Sequence, residues 1–251
     1  MNWFADFFRK FFSKELKAQE QLDKNYPLNK RSKVEMLLLQ NSSQKKFTGP
    51  LSLKGFVNLR VLNCRHNRIT KFDLSDCKKL RKLYCDDNQK IKNLDLSALS
   101  ELEWLDCSDN KFSDLNFLNS IPNPHKIQAL VMCNNQFPPS DLTIFSRFTN
   151  LELLLIGENR WVKNEKGQGG IIQVGKNKYN LFYGSLKPLQ KLKKLYYLNI
   201  RNTDIDDDLE YLPDSIVRFY FEGNEKIENK LRKYDFDLKK WKEQDERKTG
   251  Y

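Results

Sequence analysis

The residues whose types could do chemistry are five cysteines, two histidines, one acidic run and one glycine-rich lysine segment. Cys64, Cys85 and Cys107 recur at spacings of 85 − 64 = 21 and 107 − 85 = 22. Zinc sites use short paired spacings and about four ligands, so this pattern points to packing rather than to metal. Cys77 adds no pair, and Cys133, which follows an inward-facing Met132, is expected to face outward as the most reactive thiol. Asp204, Asp206, Asp207 and Asp208 would hold calcium only if several oxygens converged; a helix or turn start before Leu209 accounts for them more simply. The segment from Gly170 to Asn177 approaches a phosphate-binding loop, but Asn177 stands where Ser or Thr must hold magnesium. His66 and His125 are too few and too isolated to build a nucleophile–base pair. These residues predict no catalytic site, no metal site and no cofactor.

The surroundings are equally restrictive. The chain has 251 residues, 44 Lys+Arg against 33 Asp+Glu and a net charge of +11. At 39% hydrophobic and 31% charged it is more polar than an average domain. Its 17 Phe, 10 Tyr and 4 Trp still exclude a disordered tail. No apolar run approaches the roughly 18 residues of a membrane span. Asp6, Arg9 and Lys10 interrupt the N-terminal aromatic stretch, which argues against a secretory signal. An odd number of cysteines argues against a disulfide framework. The expectation is an intracellular, cytoplasmic protein, with membrane association as the alternative.

What positions these residues is a repeat. Leu59, Leu62, Cys64, Asn67 and Ile69 are followed by Leu80, Leu83, Cys85 and Asn88, then by Leu102, Leu105, Cys107, Asn110 and Phe112. The frame continues through Ile127, Leu130, Met132, Asn135 and Phe137, and through Leu151, Leu154, Ile156, Asn159 and Trp161. After an insertion it returns as Leu195, Leu198, Ile200 and Thr203, and ends with Ile216, Phe219, Phe221 and Asn224. Val34, Leu37 and Leu39 form a degenerate first copy. Alternation at the fourth and sixth positions turns one strand face inward. Each thin coil must then bury itself against its neighbours. At the ninth position, Asn67, Asn88, Asn110, Asn135, Asn159 and Asn224 form an expected ladder, since an amide can satisfy both donors and acceptors of the turning backbone. Thr203 should weaken one rung.

This pattern resembles the leucine-rich repeat family across residues 34–224. The cysteine at the sixth position and the Leu94-Asp95-Leu96-Ser97 return resemble the expanded fungal members. The resemblance implies an α/β fold: a right-handed solenoid with one concave parallel sheet, short 3₁₀ or irregular convex segments and helical caps. It also implies protein binding on the concave face.

Residues 1–33 read as an aromatic amphipathic helix followed by a cap helix, which should cover the first strand. Residues 34–224 form the repeat domain, with a loop inserted at 162–181. Residues 225–251 form a C-terminal cap helix and tail. Trp3, Phe4, Phe7, Phe8, Phe11 and Phe12 recur every four residues and define one aromatic helical face. That face could cap the first repeat, lie in a membrane interface or dock in a partner groove.

The repeat frame also places the binding candidates. The third and fifth positions face outward on the concave side and include Tyr84, Trp104, Asp106, Val131, Leu153, Leu155, Tyr197, Arg218 and Tyr220, with Arg201 from the seventh. A contiguous apolar and aromatic patch on a sheet marks a contact surface. On the four outward columns Arg65, Lys82, Arg201 and Arg218 oppose Asp86, Asp87, Asp106, Asp109, Glu158 and Glu222, so the net is 4 − 6 = −2. Nucleic acid would need a basic stripe there. The sequence therefore predicts a non-catalytic interaction module that binds a protein partner. A peripheral membrane adaptor anchored by the N-terminal helix is the alternative, and nucleic-acid binding through convex lysines is weaker.

Overall fold

The computed structural model describes residues 16–39, 46–88, 90–158, 161–163, 169–171, 180–221, 227 and 229–230. Eight three-residue strands make one parallel sheet: β1 (Met36–Leu38), β2 (Val61–Asn63), β3 (Lys82–Tyr84), β4 (Trp104–Asp106), β5 (Ala129–Val131), β6 (Leu153–Leu155), β7 (Tyr197–Asn199) and β8 (Arg218–Tyr220). They pair in strict sequence order. The register sets each fourth-position residue beside the next, Leu37 by Leu62, Leu62 by Leu83, Leu83 by Leu105, and onward to Leu198 by Phe219. A frame read from spacing alone thus becomes a column in space.

Behind the sheet lies one continuous core. Leu62, Leu83, Leu105, Leu130, Leu154 and Leu198 are fully buried, as are Cys64, Cys85, Cys107, Met132, Ile156 and Ile200. The returning segments close it with Phe72, Leu74, Leu94, Leu96, Phe117 and Phe145. Those segments carry a short helix at Asn116–Asn119 and 3₁₀ turns at Pro124–Lys126, Thr143–Arg147, Lys187–Leu189 and Leu209–Tyr211. Coils this thin leave room for little more. All five cysteines are free thiols and all are buried.

The Asn ladder bonds neighbouring coils together. The Asn67 Nδ2 donates to the carbonyls of Leu39 (2.8 Å) and Cys64 (3.0 Å), while its Oδ1 accepts from the Phe47 amide at 2.9 Å. Asn88 repeats this with Cys64, Cys85 and the Ile69 amide. Asn110 reaches Cys85 and Cys107, and Asn135 reaches Cys107 and Met132. Thr203 keeps a 2.7 Å bond to the Ile200 carbonyl. Asn159 and Asn224 lie outside the described residues.

The insertion departs from expectation. The rung after Asn135 is Asn180, whose Nδ2 donates to Met132 and Ile156, both at 2.8 Å, and whose Oδ1 accepts from the Asn135 amide at 3.2 Å. Residues 159–179 are therefore inserted between the eighth and ninth positions of one coil, and the chain re-enters at Asn180 rather than after residue 181. Phe182 then bridges to Ser140 of the preceding coil. Within the insertion, Trp161–Lys163 and Gly169–Ile171 pair as an antiparallel hairpin. Gly170 thus sits in a hairpin strand, and residues 172–177 of the glycine-rich segment lie outside the described residues.

At the N-terminal end, helix α1 (Ala18–Asn25) buries Ala18 and Leu22. It packs against the return strand Phe47–Ser52, where the Ser52 amide donates to Gln19 Oε1 at 2.8 Å. Ala18 and Leu22 belong to the same core cluster as Leu37 of β1. Arg31 anchors this cap. It is 3% exposed, donates to the Tyr26 and Lys54 carbonyls at 2.8 and 2.9 Å, bonds Asp23 and stacks on Phe56. At the other end only residues 227 and 229–230 of the expected cap helix are described. They are helical, and Ile227 is fully buried in the core. Among the described residues no helix is long and apolar enough to cross a membrane.

Candidate functional site

The concave sheet brings the predicted columns together. Lys82, Trp104, Ala129, Leu153, Tyr197 and Arg218 lie side by side, and so do Tyr84, Asp106, Val131, Leu155, Asn199 and Tyr220. Their exposure is uneven. Tyr84, Trp104, Leu153, Tyr197, Arg218 and Tyr220 are half-exposed, while Asp106, Val131, Leu155 and Arg201 are buried. The concave face therefore has a closed middle and two open ends.

The middle is a small second apolar cluster. Val131, Cys133 and Leu155 pack together, with Leu153 and Tyr197 against them. Cys133 is 1% exposed, which corrects its reading as an outward reactive thiol. It does leave the sheet on the concave side. Adjacent strands stand only about 4.8 Å apart, so the branched side chains beside it close over the sulfur. Burial raises its thiol well above the ordinary range, and Asp106 and Asp109 push the same way. A thiolate, the reactive form, is correspondingly disfavoured.

The N-terminal end is an ion-pair and cation–π cluster. Arg65 donates from Nε to Asp86 at 2.6 Å and from Nη2 to Asp106 at 2.7 Å. Its guanidinium lies 4.4 Å from the Tyr84 ring centre, and Lys82 lies 5.9 Å from that of Trp104. The two rings are tilted at 6.1 Å. One arginine thus serves two carboxylates. Burial, then the nearby Asp106, pushes the Asp86 carboxyl up to about 6, against the pull of Arg65.

This has a consequence for stability. Between an ordinary carboxylate pKa of about 4 and about 6 the folded protein holds the Asp86 proton and the unfolded chain does not. Its stabilising contribution is full below that window and is lost as pH rises through it. Asp86→Asn should remove that loss, by roughly 1–2 kcal/mol near neutral pH. Urea unfolding of both proteins from about pH 4 to 7 checks it: the difference between them should grow with pH, and parallel curves would refute it.

At the C-terminal end, Tyr197 and Tyr220 are tilted at 5.2 Å, Arg201 lies 4.2 Å from the Tyr220 ring centre and Arg218 lies 5.7 Å from that of Tyr197. Tyr196 and Val217 are 40% and 49% exposed beside them.

The other candidates stay apart. His66 is exposed and meets only Asp87, through Nδ1 at 3.1 Å, among its described side-chain contacts. His125 is exposed in a 3₁₀ turn. Asp204–Asp207 form a strand parallel to Tyr183–Ser185, Asp207 pairs with Lys230 at 2.6 Å, and Asp208 precedes the turn at Leu209–Tyr211. Among the described residues no three His, Cys, Asp or Glu side chains gather as a metal site. Sequence reasoning missed two residues. Asn180 carried a usable signal, because Asn180 and Phe182 are followed by Leu186, Leu189, Leu192 and Leu195 at the spacing of other returns. Gly157 carried none.

Residues 57–99 match a family model described as leucine-rich repeats, in two copies. No curated protein matches the sequence. Among solved structures, the chain is similar to the functional domain of InlJ from Listeria monocytogenes, which includes a cysteine ladder: identity is 19%, coverage 77% of this chain and 40% of that one, and TM-score 0.50. It is also similar to the ectodomain of the Arabidopsis thaliana receptor kinase GASSHO1/SCHENGEN3, with 15% identity, coverage of 74% and 24% respectively, and TM-score 0.52. The chain thus spans less than half the length of either. Residues 57–99 thus carry leucine-rich repeats that match in sequence, and eight parallel strands over an asparagine ladder give the chain a leucine-rich repeat fold.

Proposed function

We propose that the chain is a non-catalytic interaction module that binds a protein partner on the concave face. The carrying observation is the pair of half-exposed aromatic clusters, Tyr84 with Trp104 and Tyr197 with Tyr220, each set among cations on one side of the packed middle. Large rings beside guanidinium groups are the residue types that dominate protein interfaces. A packed middle holds both clusters at fixed separation, which lowers the ordering cost of binding. Asp106, Val131, Leu155 and Arg201 act beneath the contact surface by positioning it. The Arabidopsis ectodomain is bound to Casparian strip integrity factor 2, which supports a protein or peptide ligand for this fold.

Affinity capture with the wild-type chain and with Trp104→Ala/Tyr197→Ala tests the reading. Partners held by the wild type should be lost or weakened at least about tenfold, or roughly 1.4 kcal/mol, by the variant. An unchanged set of partners would overturn the site.

A further inference from the structure

On the concave face the third-position column reads Lys82, Trp104, Ala129, Leu153, Tyr197 and Arg218 across six neighbouring strands. It is an apolar track with a cation at each end. Lys82 is exposed and Arg218 half-exposed. Each lies over the ring of its neighbour on the track, Lys82 5.9 Å from the Trp104 centre and Arg218 5.7 Å from that of Tyr197. Among the described residues neither cation meets a carboxylate. The carboxylates of the same face are already engaged. Asp86 and Asp106 bond Arg65 at 2.6 and 2.7 Å. Asp87 meets His66 at 3.1 Å and Lys46 at 3.7 Å. Asp109 accepts from Asn134 at 3.0 Å, and Glu158 accepts from Asn202 at 2.6 Å. Glu222 lies outside the described residues. The charge of 4 − 6 = −2 counted on the columns therefore misstates what the face offers. Its described acids have partners within the molecule, and the two cations that end the track hold no acid.

Adjacent strands stand about 4.8 Å apart, so the five steps from β3 to β8 set the two cations about 24 Å apart along the sheet. An extended chain advances about 3.3 Å per residue and covers that distance in about seven residues. Ala129, 1% exposed, makes a low point between Trp104 and Leu153 where a side chain can seat. Leu153 and Tyr197 pack on the cluster of Val131, Cys133 and Leu155, which holds the rest of the track in place. We propose, resting on the concave-face binding proposed above, that this track takes an extended acidic segment of a partner protein. One carboxylate sits on Lys82, a second about seven residues away sits on Arg218, and apolar side chains lie between them. Each carboxylate gains a charge-assisted hydrogen bond without displacing an existing ion pair. A nucleic-acid strand fits the track worse. It carries a phosphate at every nucleotide and wants a basic stripe, whereas here its inner phosphates would lie beside Asp86 and Asp109.

Synthetic peptide pools test this on the full chain. Every peptide carries Leu, Val, Phe or Tyr at its inner positions. At the proposed spacing the three pools carry Glu at both ends, Gln at both ends or Lys at both ends. The wild type should bind the acidic pool at least about tenfold more tightly than the Gln pool. Lys82→Glu/Arg218→Glu should keep the wild-type urea midpoint, lose that preference and favour the Lys pool, a reversal that a misfolded chain would not produce. Equal binding of the three pools, no binding of the acidic pool at about 1 mM, or an acidic preference that survives in the variant would each overturn the proposal. The broader reading fails separately. If the pools bind equally and Trp104→Ala/Tyr197→Ala abolishes that binding, the concave site stands and the acidic partner alone falls. If Trp104→Ala/Tyr197→Ala leaves all peptide binding unchanged, the concave site falls with it. A single-stranded oligodeoxynucleotide is the rival probe: tighter binding than the acidic pool, lost in Lys82→Glu/Arg218→Glu, would assign the two cations to phosphate instead.

Discussion

Gly157→Ala is expected to be the most damaging single-methyl substitution in the sheet. A Cβ at Gly157 would sit 2.3 Å from the Arg201 nitrogen, 2.7 Å from the Arg201 oxygen and 2.7 Å from the Ile200 carbonyl carbon. All three are backbone atoms, so no rotamer change relieves the clash. The Gly157 amide also donates to Asn199 at 3.0 Å, which ties it to the coil it would push away. Overpacking of this kind costs about 3 kcal/mol or more. Gly184 is the control. Its φ is +83° but nothing lies within 4 Å of a Cβ there, so Gly184→Ala should cost only about 1 kcal/mol, through backbone strain. Urea midpoints rank the two, and equal losses would show that β6 and β7 are not in this close register.

The second large effect is at Asn180. Asn180→Ala would remove this partner from the Ile156 carbonyl and the Asn135 amide and leave the Met132 carbonyl with Asn135 Nδ2, all at a residue only 4% exposed. Each unsatisfied buried group costs on the order of 1–3 kcal/mol, partly recovered by relaxation. A loss of about 3 kcal/mol or more is expected, similar to Asn135→Ala. A loss under about 1 kcal/mol would place the rung elsewhere and restore the insertion boundary read from the sequence.

Much of this architecture was legible because the repeat repeats. A leucine at the fourth position of every copy can only be a buried column, and an asparagine at the ninth can only be the turn that leaves the sheet. Those inferences need no distances, since each copy corroborates the others. Asn180 was legible too, but Asn159-Arg160-Trp161 offered a rival match with better spacing. Where a coil is interrupted, local pattern does not say which asparagine closes it; the hydrogen bonds to Met132 and Ile156 do.

The cysteines divide along the same line. Cys64, Cys85 and Cys107 lie on inward positions, and burial follows from periodicity. Cys133 lies on an outward position, and its burial depends on Val131 and Leu155 of its own and the next strand. Alternation fixes which side of the sheet a side chain leaves from. It does not fix whether neighbours about 4.8 Å away close over it.

The spacing of the residues that could do chemistry already determined that they would be dispersed: three thiols in a core column, a carboxylate run beside a turn, two histidines on separate surfaces. Composition and repeat determined the solenoid, its concave face and the lack of excess positive charge there. Only the tertiary structure decided which concave residues remain exposed. It buried Asp106 under Arg65, closed Val131, Cys133 and Leu155 into a cluster and left Tyr84, Trp104, Tyr197 and Tyr220 partly open. The physical reason is that periodicity is a property of one strand, whereas exposure and charge balance belong to side chains that meet across neighbouring strands.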